Sequence, residues 1–166
     1  MFLCAGTAQA QIRGDDSLDA SNTPRNAPQQ HPHPADEMRY RAAVRHEEET
    51  HREVIERAEE IDEISSRILK RYDSQKNLGP DDLKSLERIE KLARKIRGNA
   101  GGSDSEESPD SPPSKLDAAV VRLTELSEQL NKGVKKTSRM VVSAAVIERS
   151  NELIRLVKHI KSFLRP

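Results

Sequence analysis

One helical phrase is written twice in this chain. Ile61, Ile64 and Ile68 align with Leu123, Leu126 and Leu130 at an offset of 62, and Glu63, Ser65 and Lys70 fall on Glu125, Ser127 and Lys132. A second phrase recurs at an offset of 64: Ile89, Leu92, Ala93, Arg94, Ile96 and Arg97 stand against Leu153, Leu156, Val157, Lys158, Ile160 and Lys161. Apolar residues three and four apart mark one face of a helix. Two helix pairs in the same order predict an all-α chain of two similar antiparallel helical hairpins, over residues 36–97 and 115–164. A single short hairpin leaves the edges of both apolar stripes wet. The hairpins therefore either dock into a four-helix bundle or pair, coiled-coil fashion, with a second chain; the sequence leaves both open, and with them a homo-oligomer.

The core must be aliphatic. Apolar residues make up 34% of the 166 and aromatic residues only 2%, with no Trp, while charged residues supply another 34%. That balance matches long helices and coiled coils better than an aromatic-rich enzyme core. Net charge is zero but unevenly placed: residues 1–114 hold 17 Lys and Arg against 23 Asp and Glu, and residues 115–166 hold 11 against 5. Opposite halves attract one another, and a basic half also suits an anionic surface.

The first ten residues read as the end of a signal peptide truncated at its N-terminus. Ala8-Gln9-Ala10 before Gln11 fits the small-x-small cleavage rule. This predicts a periplasmic or secreted protein; a cytoplasmic one is the alternative if the tripeptide is coincidental. Cys4 is the only cysteine and lies inside the segment to be removed, which leaves neither a disulfide framework nor thiol chemistry. No apolar run is long enough to span a membrane. Residues 11–35, rich in Asp, Ser, Asn, Pro and Gln, are expected to be disordered, and so is the acidic Gly-, Ser- and Pro-rich linker at 98–114.

Within the hairpins, the first helix is expected from Asp36 to about Tyr72. Its early part lacks a wide apolar stripe and carries opposite charges four apart, such as Glu37 with Arg41, Arg45 with Glu49 and Glu53 with Arg57. From Val54 a seam begins: Ala58, Ile61, Ile64, Ile68, Tyr72. Gly79-Pro80 opens the second helix, Asp81 and Asp82 suit its positive end, and Gly98 is expected to stop it. The third opens near Lys115 and is expected to weaken at Gly133; Ser143 caps the fourth. Met140-Val141-Val142 is expected to cover the end of the second hairpin.

Chemistry-bearing constellations are sparse. His46-Glu47-Glu48-Glu49-Thr50-His51 resembles HExxH, but its His residues are five apart and diverge by roughly 140° on a helix. Glu48 and His51 make one Glu-x-x-His; a di-iron site needs a second, and the residue three before His159 is Leu156. His31 and His33 sit in a Pro-rich tract. There is no nucleophile elbow and no phosphate-cradling Gly-rich loop. No catalytic residue, metal site or cofactor is assigned.

The best basic cluster is Lys132, Lys135, Lys136 and Arg139, candidate contacts for a protein or anionic envelope surface. Nucleic acid is disfavoured because no aromatic stands nearby to stack on bases. The expectation is a non-catalytic, exported helical interaction or scaffold protein of the cell envelope. Two alternatives are a periplasmic stress- or metal-responsive hairpin using the His residues of the first helix, and a cytoplasmic basic helical binder.

Overall fold

A computed structural model of the chain describes residues 33–103, 112–138 and 143–164. The expected signal remnant and most of the expected N-terminal disorder lie outside the described residues. So do the middle of the linker (104–111), Arg139 and Met140-Val141-Val142. The described chain is all-helical: α1 (Pro34–Gln75), α2 (Pro80–Asn99), α3 (Leu116–Lys136) and α4 (Ala144–Phe163).

The helix ends follow local chemistry. α1 starts two residues before the expected Asp36, because Pro34 suits the first turn and the His33 side chain accepts from Ala35 N–H. Lys76 ends α1 in the left-handed region at φ 51°. α2 opens at Gly79 and Pro80 as expected, and Asp82 Oδ2 accepts from Gly79 N–H at 2.9 Å, half of a capping box. The expected stop at Gly98 is not where α2 ends. Gly98 stays helical, and the positive φ falls at Gly101 (76°), where the N–H groups of Gly101 and Gly102 return to the carbonyls of Gly98 and Arg97. Nor does α3 weaken at Gly133. It continues to Lys136, and a Cβ at Gly133 would make only ordinary contacts with Arg149 and Val146 of α4. Ser143 caps α4, accepting from Val146 N–H.

The two hairpins share one core. α1 packs beside α2 and α3, and α4 beside α2 and α3, so α1 and α4 are diagonal, as are α2 and α3. Each hairpin is closed by an ion pair. Arg88 of α2 makes two bonds to Glu60 of α1, at 2.7 and 2.9 Å, and Arg122 of α3 bonds Glu152 of α4 at 2.7 Å. These pairs occupy matching positions at the two offsets with their charges exchanged.

Between hairpins, Lys135 and Asn131 of α3 reach Glu59 and Asp62 of α1, while Arg97 and Glu90 of α2 meet Asn151 and Lys161 of α4. Each partner number falls as the other rises, so both contacts are antiparallel. α1 and α4 therefore run one way, and α2 and α3 the other. The end of α2 and the start of α3 therefore lie at opposite ends of the bundle, and the contacts of the described residues beside them agree. Gly102 lies so close to Ile147, near the start of α4, that a Cβ would come within 2.6 Å of it, and His159 Nε2–H near the end of α4 donates to the Pro113 carbonyl at 2.8 Å.

Burial reproduces the two phrases. Ile61, Leu123, Ile89 and Leu153 are fully buried, and Ser65 and Ser127 are buried as small residues bonded to carbonyls of their own helices. Ala58 through Tyr72, Leu86 through Ile96, Ala119 through Val134 and Val146 through Ile160 contribute to a single apolar cluster.

Acid should loosen this bundle. Burial raises the Glu90 pKa, but hydrogen bonds from Arg94 and Lys161 outweigh that and hold it below its ordinary 4.5. The bond from Arg88 lowers Glu60 likewise. A carboxylate with a depressed folded-state pKa contributes stability above its unfolded value and loses it as pH falls through the folded one. The melting temperature is expected to hold from neutrality to about pH 5 and to decline below the ordinary Glu value. Glu90→Gln should shallow that decline in a melting series against pH.

Candidate interaction site

α1 is longer than the bundle it belongs to. It has 42 residues against 20 or 21 in each of the others, and its first buried residue is Ala58. The part from Pro34 to about Glu53 therefore projects as an arm. Its helix is held by the i,i+4 pairs Glu37–Arg41 and Glu53–Arg57, both as expected, with Asp36–Arg39 and Arg52–Glu56 beside them. The expected Arg45–Glu49 pair does not form, and both side chains are exposed. Met38 and Tyr40 are 72% and 71% exposed, the most exposed of the large apolar residues described.

Along the arm Tyr40, Val44, Glu47, His51 and Val54 repeat at alternating spacings of four and three, continuing into Ala58 and Ile61. The core seam of the bundle thus runs out along the arm. Arm charge is segregated. Arg39, Arg41 and Arg45 form a basic stretch with no acid among them, and Glu47, Glu48, Glu49 and Glu53 follow with only Arg52 interposed.

Where arm meets bundle there is a cavity of about 310 Å³ touching all four helices. His46, Thr50, His51 and Val54 line it from α1, Ile96 and Ala100 from the end of α2, Val134 from α3 and Val146 from α4. Glu47, Asn99, Thr137, Ser138 and Ser143 complete a lining that is part apolar and part polar. No group of three or more His, Cys, Asp and Glu able to hold a metal occurs among the described residues.

The basic cluster stands at this same end. Lys132 is ion-paired to Glu128 within α3, and Lys135 crosses to Glu59 of α1 at 2.8 Å. Lys136 is exposed, and Arg139 lies outside the described residues. Two of the four expected contact residues thus already serve the bundle, and Lys135 joins the hairpins. The cavity escaped the sequence because its lining comes from four helices whose docking no single stripe specifies. No described helix is long and apolar enough to cross a membrane. No protein-family model, curated protein or solved structure matches this chain.

Proposed function

We propose that this protein is a non-catalytic helical interaction module, exported to the cell envelope, that holds a protein partner at the end of the bundle where the arm projects. One observation carries the reading: α1 continues well past its bundle with Met38 and Tyr40 open to solvent. An isolated, charge-laced helix gains only a few tenths of a kcal/mol from each i,i+4 pair, so the arm adds little to the fold while presenting apolar and charged groups together. The match of Ala8-Gln9-Ala10 to the small-x-small cleavage rule supports the envelope location, and the charge-exchanged ion pairs at matching offsets support an origin of the bundle in two copies of one hairpin. Lys136, with Lys132 and Lys135 beside it, gives the same end a basic edge suited to an acidic partner surface.

The test is co-purification from envelope extract. A chain lacking residues 36–52 is expected to keep its helical core and lose partners that the full chain retains. A chain with Lys135, Lys136 and Arg139 changed to Gln should lose those partners in part, and more completely as salt is raised. Retention of every partner by both variants contradicts the proposal.

A further inference from the structure

We infer that the arm pairs antiparallel with the arm of a second copy of this chain, each tip reaching the cavity at the other's bundle end. The inference rests on the reading of the arm as an interaction surface and names an occupant for it.

Charge order sets the orientation. The basic stretch Arg39–Arg45 precedes the acidic stretch Glu47–Glu53, with the boundary at His46. Parallel pairing would lay basic on basic and acidic on acidic. Antiparallel pairing about His46 brings Arg39 level with Glu53 and Arg45 level with Glu47 of the other copy, twice over by two-fold symmetry, while Arg39 and Arg41 keep Asp36 and Glu37 of their own arm as neighbours. It also brings Arg45, which forms no ion pair among the described residues, level with Glu47 of the second copy.

The apolar groups independently give the same register. With the axis near His46, Tyr40 of the second copy comes level with His51 and Arg52, and Met38 with Val54. Both His51 and Val54 line the cavity, and Met38 and Tyr40 are the two most exposed large apolar side chains described. An aromatic side chain is the largest apolar anchor the arm has to offer, and Val54, Ile96, Val134 and Val146 give the cavity lining an apolar part to receive it. Shifting the register by two helical turns either way misaligns the charge stretches and carries Tyr40 out of the cavity or against the packed helices.

Sedimentation velocity on the full chain tests this, with two variants. Arg39→Glu, Arg41→Glu and Arg45→Glu together make the arm acidic throughout. Glu47→Arg, Glu48→Arg and Glu49→Arg together make it basic. The unaltered chain is expected to form a dimer that dissociates in high salt, each variant alone to be a monomer with unchanged core melting, and an equimolar mixture of the two to regain dimer mass. Tyr40→Ala should weaken the dimer by about tenfold or more, the loss of one buried aromatic anchor per arm. A monomer at every concentration, dimers in both separate variants, or no association on mixing overturns the inference. If the chain is monomeric yet loses partners when residues 36–52 are removed, pairing fails while the proposed function stands.

Discussion

Leu123→Ala is expected to destabilise the bundle by about 3 kcal/mol, and Ile61→Ala by a similar amount. Both side chains are fully buried, at matching positions on α3 and α1, one of the two helix pairs that pack between the hairpins. Removing either leaves a void in the shared apolar core. Domains of this size are stable by only about 5–15 kcal/mol, so each substitution removes a large share of the total. Urea unfolding should show a lower midpoint with an unchanged slope. Val121→Ala on the outer face of α3, where the side chain is 46% exposed, should change stability by no more than about 0.5 kcal/mol. Equal midpoints for Leu123→Ala and Val121→Ala contradict the assignment of the core.

The second large effect is expected at Asp82. Its side chain is 1% exposed, accepts from the Gly79 N–H at 2.9 Å and bonds Arg71 of α1 at 2.7 Å. Asp82→Ala removes a helix cap and leaves a half-buried amide and a guanidinium without their acceptor, a loss of about 2 kcal/mol. The partial exposure of Arg71 keeps the cost below that of breaking a fully buried pair. Asp82→Asn retains an oxygen for the amide and should cost less. Asp81→Ala, next in sequence but exposed, should be nearly silent. Equal melting temperatures for Asp81→Ala and Asp82→Ala exclude the capping role.

Much of this was legible because the chain is plainly punctuated. The seam from Ala58 to Tyr72 and its echo from Ala119 to Leu130 follow from apolar spacing alone, and Gly79-Pro80 and Ser143 mark real helix starts. Gly98 and Gly133 misled, because a glycine inside a helix costs only about 1 kcal/mol relative to alanine, which the packing of α2 and α3 outweighs. Docking of the hairpins was not legible, since an aliphatic stripe accepts many partners. One clue was present and unread: Glu60 and Arg122 stand at matching positions, as do Arg88 and Glu152, and the exchanged signs foretell an ion pair closing each hairpin. At the candidate site the overhang of α1 could be read from relative helix length. The fate of Lys135 could not, because Glu59 is brought to it only by the fold.

The central claim is that four helices share one core from which the arm of α1 stands apart. Native-state hydrogen exchange on the full chain in dilute solution tests it most directly. The account predicts one common slow rate, set by global unfolding, for amides in Ala58–Tyr72, Leu86–Ile96, Ala119–Val134 and Val146–Ile160, with much faster exchange between Glu37 and Glu49. Two distinct levels of protection, one for α1 with α2 and another for α3 with α4, would contradict a shared core.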